Sequence, residues 1–219
     1  MERSTRLIMF ISFEGIEGSG KSTQIKNAKD FLEKRGVACR LTREPGGTDI
    51  GRRIRAILLD PCNVNLDPLA ELLLYMADRA QHLKQVVKVA LDEKKTVLCD
   101  RYFDATVAYQ GFARGLDMEM ITLLHLQAFN NLKPDMTLLL DLEPKKGLAR
   151  AWRQIDDGGR EAAETRFEEE KIAFHEKVRD GYLQLAQQEP ARFVVIDAAG
   201  DESTVRDQIQ MVLAEAIKV

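Results

Sequence analysis

An apolar run that ends in a loop of small residues constrains this chain more than any other feature. The run "LIMFISF" (7–13) leads into "FEGIEGSGKSTQ" (13–24), where glycine and serine fill most positions before a lysine and a hydroxyl. A continuous apolar segment bounded by glycine is typical of a strand covered on both faces of a parallel sheet. Residues 15–22 match GxxxxGK[ST], and the amphipathic stretch 21–35 supplies the helix that this pattern requires.

The loop has the chemistry of a phosphate cradle. Glycine lets backbone N–H groups turn inward and crowd around phosphate oxygens. The helix that follows presents its unpaired N–H groups and its positive end to the same anion. Lys21 is expected to reach the β- and γ-phosphates of a nucleoside triphosphate, and Ser22 to bind Mg²⁺. The sequence therefore predicts a P-loop fold.

Short apolar runs alternate with longer amphipathic stretches along the rest of the chain. Further strands are expected at 37–42, 96–100, 136–141 and 192–197, and helices at 49–59, 67–95, 144–154, around 167–185 and at 202–218. Strands separated by helices predict an α/β three-layer sandwich around a parallel sheet. The 219 residues contain no repeat or linker, so we expect one domain over residues 1–219.

Composition excludes several classes of protein. The formal net charge of −3 argues against a protein that tracks a nucleic acid polymer. The cysteines Cys39, Cys62 and Cys99 are far apart and form no CxxC, so neither a zinc knuckle nor a disulfide framework is expected. No stretch approaches the roughly 20 apolar residues that span a bilayer. The start of the chain lacks a signal-peptide cleavage site, and the cytoplasm is the expected location.

One of three strand-end acids is expected to support Mg²⁺. Asp100, Asp141 and Asp197 each end a predicted strand, and of these Asp100 alone is followed at once by an arginine, Arg101. An acid at the carboxyl end of a strand with a cation beside it suits a site for Mg²⁺ and phosphates. We interpret the other two acids as strand-end turns or helix caps. No NKxD motif is present, which disfavours a GTPase.

Two segments could hold a second ligand that carries a base and a phosphate. In "TREPGGT" (42–48), Arg43 stands beside Glu44 and a flexible turn, where arginine could clamp a phosphate in bidentate fashion. Tyr75 and Arg79 lie four residues apart on one helix face, where they could stack on a base and hydrogen-bond its edge. Taken singly, a solvated surface turn and ordinary helix packing also explain these residues.

Two more segments complete the pattern. "DRYFDATVAYQG" (100–111) clusters Thr106, Tyr109 and Gln110 just past the acid, and a glutamine amide suits a base edge because it both donates and accepts. Residues 150–166 place four arginines around "IDDGG", a composition that suits a lid over transferring phosphates. A polar loop and a solvated charged loop are the alternative interpretations. The lid arginines are Arg150, Arg153, Arg160 and Arg166.

In this order, the five segments resemble the thymidylate kinase family of bacterial type. The resemblance runs from about residue 8 to the C-terminal helix, and "TREPGGT" followed by "DRY" and "AYQG" is its most specific part. It implies a five-stranded parallel sheet with a short arginine-bearing lid. It also implies transfer of the γ-phosphoryl group of ATP to dTMP, giving dTDP and ADP, with Mg²⁺, and usually a homodimer.

The resemblance implies a role for each matching position. Lys21, Arg101, Asp100, Glu17 and the lid residue Arg153 would serve catalysis, with Arg150 and Arg160 as further lid candidates. Ser22, Asp100 and Glu44 would support Mg²⁺ and its waters. ATP would be bound by Gly15, Ile16, Glu17, Gly18, Ser19, Gly20, Lys21, Ser22, Thr23 and Arg150.

The same resemblance assigns the acceptor site. Arg43 and Arg101 would grip the dTMP phosphate, and Glu17 would lie near the acceptor sugar and the metal. Tyr75 stands where the family usually has a phenylalanine that stacks on thymine. Arg79 and Gln110 would read the thymine edge, Thr106 would lie near the base, and Tyr109 would crowd C2′. Glu44 also belongs to the substrate-binding residues.

The expected chemistry is direct in-line transfer between two bound nucleotides. The acceptor phosphate is already a nucleophilic anion, so no strong general base is needed and His82, His125 and His175 are interpreted as structural or surface residues. One alternative is a deoxynucleoside kinase, in which Glu17 or Glu44 would be the base. Another is an ATP-dependent switch with no small acceptor.

Overall fold

The computed structural model describes residues 8–157 and 164–217 and contains one five-stranded sheet. All four neighbouring strand pairs are parallel, in the order β2-β3-β1-β4-β5. This confirms the predicted α/β fold and the strand count that the family resemblance implied. The strands are β1 (Phe10–Glu14), β2 (Cys39–Arg43), β3 (Thr96–Asp100), β4 (Met136–Asp141) and β5 (Phe193–Asp197).

Helices connect successive strands. Their bounds agree with the prediction at α2, whereas the helix expected over 67–95 contains a π-helical segment at Leu83–Val87. A second π-helical segment (Val107–Ala113) and α6, which the sequence patterns had not located, follow β3. The helices are α1 (Lys21–Lys34), α2 (Asp49–Leu59), α3 (Pro68–His82), α4 (Lys88–Asp92), α5 (Phe103–Thr106), α6 (Met118–Phe129), α7 (Pro144–Asp156), α8 (Ile172–Gln188) and α9 (Glu202–Ala216).

Within residues 8–157 and 164–217, no helix is both long enough and apolar enough to cross a bilayer. The apolar side chains instead converge on the sheet, and every residue of the central strand β1 is buried. A strand hidden on both faces is what a continuous apolar run predicts.

The register of the strands brings the sequence motifs together. Phe13 pairs with Asp100 across β1 and β3, and Arg43 pairs with the same Asp100 across β2 and β3. Parallel strands all present their carboxyl ends at one edge of the sheet, where ligands of open α/β folds bind. The loop after β1, the arginine that ends β2 and the arginine that follows β3 therefore meet at this edge.

The backbone of α7 packs directly on the glycine loop. A Cβ atom at Gly147 would lie 2.5 Å from the carbonyl oxygen of Glu17, and one at Gly18 would collide with the carbonyl of Gly147. Gly18 also has a φ of +68°, which a side chain would strain. Two glycines thus allow one helix to support the loop at backbone distance.

We predict that Gly147→Ala lowers the free energy of unfolding and raises the KM for ATP. The methyl group must displace α7 or the loop, and such overpacking costs about 1–3 kcal/mol, which exceeds the gain in helix propensity. Chemical unfolding and steady-state kinetics measure the two effects. Gly200→Ala is the matched control, because its Cβ would come no closer than 3.4 Å to a neighbour; an unchanged stability of Gly147→Ala would contradict the prediction.

Candidate active site

Two adjoining cavities open at the carboxyl edge of the sheet. They share the four charged residues Glu17, Glu44, Arg55 and Arg101. We call the first the polar cavity; it is further lined by Gly18, Gly20, Lys21, Ser22, Thr23 and Arg43. We call the second the aromatic cavity; it is further lined by Tyr75, Arg79, Thr106, Tyr109, Gln110 and Phe167.

The glycine loop forms one wall of the polar cavity. Helix α1 starts at Lys21 directly after Gly20, which has a φ of 92° and no side chain to cap the first turn. The N–H groups of that turn are the feature that binds anions at helix starts. The Lys21 ammonium donates to the carbonyl oxygens of Gly15 and Ile16 at 2.9 and 2.7 Å and to Ser19 Oγ at 3.2 Å.

Lys21 is poised to respond to a bound anion. Burial, and then the neighbouring Arg101 cation, lower the pKa of Lys21 to about 7. A phosphate placed beside the ammonium would favour its charged form again. The loop that the sequence predicted is therefore a cationic site whose charge depends on its ligand.

Two of the three predicted metal-supporting residues lie side by side. The Ser22 hydroxyl donates to Asp100 Oδ2 at 3.1 Å in the polar cavity. Within the described ranges no group of three or more His, Cys, Asp or Glu residues could hold a metal ion by itself. One hydroxyl and one carboxylate fit Mg²⁺, which usually keeps its waters and takes its remaining ligands from substrate phosphates.

Arg101 lies where the two cavities meet. Its backbone is left-handed, with a φ of 66°, a conformation that costs free energy in a residue with a side chain. One guanidinium nitrogen donates to Glu17 Oε1 at 2.9 Å, and the group lies 4.9 Å from the centre of the Tyr109 ring. Tyr109 donates its hydroxyl to the same Glu17 oxygen at 2.6 Å.

The charge of Glu17 is stabilised by these neighbours. Burial would raise the pKa of Glu17, but the Arg101 guanidinium and a hydrogen bond from His175 outweigh burial and hold it well below its usual range. His175 Nδ1 lies 3.1 Å from Glu17 Oε2. Glu17 is therefore an ionised carboxylate with partners on both oxygens.

A second buried ion pair supports the wall between the cavities. Arg79, which is fully buried, donates to Glu44 Oε1 and to Thr106 Oγ1, both at 2.7 Å. His82 Nδ1 lies 3.3 Å from the other Glu44 oxygen. The predicted residues Arg79, Glu44 and Thr106 are thus brought together, and Glu44 has protein partners on both oxygens. Its support of Mg²⁺ stays a prediction.

The far wall of the aromatic cavity is organised by a carboxylate that the sequence patterns did not reveal. Gln110 Nε2 donates to Glu71 Oε1 at 2.7 Å, and Arg166 donates to Glu71 Oε2 at 2.6 Å. Arg166 is buried in this ion pair, so its assignment to the lid is wrong. Phe167, expected on a helix face, instead precedes α8 and packs edge-on against Tyr109 at 5.3 Å.

The remaining predicted residues lie at or beyond the rim. Arg43 is exposed and lines the polar cavity, and Arg153 is exposed on α7. Arg150 donates to the carbonyl oxygens of Ala198 and Ala199 at 2.9 and 3.2 Å. Arg160 lies outside the described residues.

The strand-end acids outside the cavities have structural partners. Asp141 pairs with Arg179 at 2.7 Å, and Asp197 accepts from the Ala199 N–H at 2.9 Å in a turn. The interpretation of Asp197 as a strand-end turn is confirmed, whereas Asp141 forms an ion pair.

Sequence reasoning missed several residues that shape the site. Arg55 lines both cavities and pairs with Glu164 at 2.6 Å. Arg55 is one of three arginines in α2, and the sequence offers no signal that distinguishes it from the other two.

The three histidines are all buried, so of the two interpretations, structural or surface, the structural one applies to each of them.

Asp78 supports the "TREPGGT" segment from behind. Its Oδ1 accepts the backbone N–H of Gly46 at 3.1 Å, while no described residue hydrogen-bonds to its Oδ2. Burial, and then the charge of Glu44, raise the pKa of Asp78 to about 6.

These features together define a class of protein. A P-loop on a parallel sheet binds a nucleoside triphosphate, and the adjoining cavity offers arginines and aromatic rings to a second ligand. Arg101 borders both spaces, so a phosphoryl group in one cavity can reach an acceptor in the other. The fold and the site are those of a P-loop phosphotransferase.

Comparison with known proteins identifies the family. The family described as thymidylate kinase matches residues 13–209. The thymidylate kinase of Desulfosudis oleivorans is 58% identical over 197 residues, which are 90% of this chain and 92% of that protein. That of Syntrophotalea carbinolica is 54% identical over 210 residues, 96% and 97% of the two chains. The crystal structure of thymidylate kinase from Ehrlichia chaffeensis has a TM-score of 0.73 and 34% identity, covering 94% of this chain and 98% of that chain.

The chain belongs to the thymidylate kinase family. The reaction of this family is the phosphorylation of dTMP to dTDP, with ATP as the co-substrate. Both substrates are small molecules, as the sequence analysis predicted.

We predict that Asp78 contributes stability that is lost as the pH rises from about 4 to 6. Its raised pKa means that Asp78 keeps its proton in the native state at pH values where it has lost it in the unfolded state, so its contribution to the free energy of unfolding decreases through this window. Asp78→Asn keeps the Oδ1 acceptor and should flatten this dependence. Urea unfolding at several pH values measures it, with the exposed Asp207→Asn as control; equal slopes in parent and Asp78→Asn would refute the assignment.

Proposed function

We propose that this chain transfers the γ-phosphoryl group of ATP to dTMP across the boundary of the two cavities. ATP phosphates occupy the polar cavity, and dTMP occupies the aromatic cavity with its phosphate at Arg101 and Arg43. The observation that carries the proposal is the position of Arg101, which borders both cavities beside Glu17. A cation at that point can contact both the acceptor phosphate and the transferring group.

The mechanism is direct in-line transfer. An oxygen of the dTMP phosphate bonds to the γ-phosphorus while the bond from that phosphorus to the β,γ-bridging oxygen breaks, so ADP leaves and no covalent enzyme intermediate forms. Lys21 and Arg101 offset the negative charge that is shared between donor and acceptor. The lid arginines Arg153 and Arg160 would add positive charge when the lid segment of the single domain closes over the phosphates. Positioning of two bound anions supplies most of the acceleration.

Mg²⁺ is the metal that the polar cavity suits. Ser22 and Asp100 would hold it, since their oxygen atoms lie together beside the phosphate loop. When bound, the ion would offset negative charge on the transferring phosphates. Glu44 would act on its waters.

Recognition of thymine uses the aromatic cavity. Tyr75 and Phe167 offer ring faces for stacking, and Arg79 offers its guanidinium to the base edge. Gln110 donates one of its two amide N–H groups to Glu71, and its carbonyl oxygen is the group that can accept from an imide N–H. Tyr109 lies beside Glu17 and would crowd a ribose 2′-hydroxyl.

A homodimer is the proposed assembly. Four leucines on the neighbouring helices α3 and α6 are exposed: Leu69, Leu73, Leu123 and Leu126. Such a patch on neighbouring helices suits a second copy of the chain. Sedimentation equilibrium should give twice the 24.8 kDa mass of the chain. We place the enzyme in the cytoplasm, where ATP is supplied.

A panel of acceptors tests the function. With ATP and Mg²⁺, ADP release should be fastest with dTMP and much slower with dGMP, dCMP, dAMP and thymidine. Equal or faster turnover of thymidine would indicate a deoxynucleoside kinase, and ADP release that is independent of any acceptor would indicate an ATPase.

We predict that Arg101→Ala reduces kcat/KM for dTMP by about 10²–10³-fold, because a charged donor to the transferring group is lost. The variant should remain folded by circular dichroism. Arg206→Ala, which removes a partly exposed arginine paired with Asp207, is the matched control and should retain parental kinetics. Parental kinetics in Arg101→Ala would contradict the assignment.

A further inference from the structure

Helix α8 presents two buried polar side chains to the site from behind. His175 and Tyr182 are seven residues apart, which places them two turns apart on one face of the helix. Their exposed fractions are 0% and 1%. Neither residue figures in the transfer mechanism, yet each contacts a charged group that does.

Tyr182 joins Arg101 and Glu14 through one hydroxyl. Its oxygen lies 3.2 Å from the Arg101 NH1 nitrogen and 2.7 Å from Glu14 Oε2. A guanidinium has only donors, so the tyrosine oxygen accepts from Arg101 and its proton is donated to Glu14. The hydroxyl therefore has a single consistent orientation. It accepts from one terminal nitrogen of Arg101, and Glu17 accepts from the other.

His175 acts on Glu17 in the same way. Glu17 is an ionised carboxylate and can only accept, so the Nδ1 atom of His175, 3.1 Å from Oε2, carries the proton. No described residue hydrogen-bonds to the buried Nε2 atom. A neutral imidazole protonated at Nδ1 satisfies both observations, whereas an imidazolium would leave a charged N–H buried without an acceptor.

The contacts form two routes from α8 to one guanidinium. The direct route runs from Tyr182 to Arg101, and the indirect route runs from His175 through Glu17 to Arg101. The side chain of Arg101 is long, so its guanidinium would sample many orientations if nothing held it. Two fixed acceptors in different directions remove that freedom before any ligand binds.

We propose that Tyr182 and His175 are positioning residues that fix Arg101 and Glu17 for the acceptor phosphate. The proposal rests on the proposed function, in which Arg101 grips that phosphate. Preorganisation of a charged clamp favours the ligand it holds, and a small misplacement of such a group costs roughly 10- to 100-fold in rate. The effect is therefore expected to be larger on dTMP than on ATP, while a purely structural role would affect stability alone.

The test compares variants that remove one hydrogen bond with variants that retain it. Tyr182→Phe removes only the hydroxyl. His175→Phe fills the space without a donor, and His175→Asn places an amide N–H near the position of Nδ1. We expect Tyr182→Phe and His175→Phe to lower kcat/KM for dTMP by about 10-fold or more, with the KM for ATP within about twofold of the parent. His175→Asn should recover most of the loss.

The matched control is His125→Phe. His125 is also fully buried and also has one ring nitrogen without a partner among the described residues, but its other nitrogen contacts the carbonyl of Leu132. This variant should lose stability and keep the parental kcat/KM for dTMP. Thermal melts of every variant confirm that the fold is intact at the assay temperature.

Three results would overturn the proposal. These are parental kcat/KM for dTMP in Tyr182→Phe, a loss in His175→Asn equal to that in His175→Phe with both folded, or equal increases in the KM values for dTMP and ATP. If a His175 variant does not fold, ¹⁵N NMR of the parent shows which ring nitrogen of His175 carries the proton. A proton on Nδ1 supports the proposal, and a proton on Nε2 contradicts it. A parent enzyme that fails to phosphorylate dTMP would instead refute the proposed function, which separates the two failures.

Discussion

The ion pair between Glu17 and Arg101 is the interaction on which the cleft depends. A buried pair of this kind is costly to desolvate, and it persists because each partner has further hydrogen bonds. Glu17 receives donors on both oxygens, and Arg101 has an acceptor on each terminal nitrogen. Removing any one partner would leave a charge poorly compensated, so the group behaves as a unit. Its location between the two cavities makes it the geometric reference for both substrates.

Electrostatics explains why a chain with net negative charge can bind two nucleotides. The overall charge of −3 describes the whole surface, whereas the cleft gathers Lys21, Arg43, Arg55 and Arg101 at one edge of the sheet. Carboxylates form ion pairs with two of these cations, Glu164 with Arg55 and Glu17 with Arg101. These two cations are thus held in position before phosphates bind, which is the arrangement that stabilises a transferring phosphoryl group.

Close backbone contact is the second condition of the site. The phosphate loop rests on α7 through Gly18 and Gly147, where neither position has room for a side chain. The segment that we assign to the lid begins within α7, and α8 starts beyond its end and contacts Arg101 through Tyr182. α7 and α8 therefore each contact a different part of the catalytic centre.

The sequence by itself determined the sheet and the phosphate loop. Strand type follows from continuous apolar runs and the loop from glycine spacing. A shared role for Arg43 and Arg101 was implied by the family resemblance, and the register of the parallel strands shows that Arg43 lies opposite Asp100. The family resemblance added the strand count and the reaction, both of which are confirmed.

Only the tertiary structure decided which charges pair. Arg166 looked like the other lid arginines but is buried against Glu71. His82 and His175 support carboxylates distant in the chain, 158 residues away for His175 and Glu17. The apolar periodicity likewise did not distinguish the π-helical segments from α-helix, and it did not locate α6. The physical reason is that local propensity and spacing act over a few residues, whereas the partner of a buried charge is set by how helices pack on the sheet. A sequence pattern shows that a cation is present, and the packed fold decides whether it faces a ligand or a carboxylate.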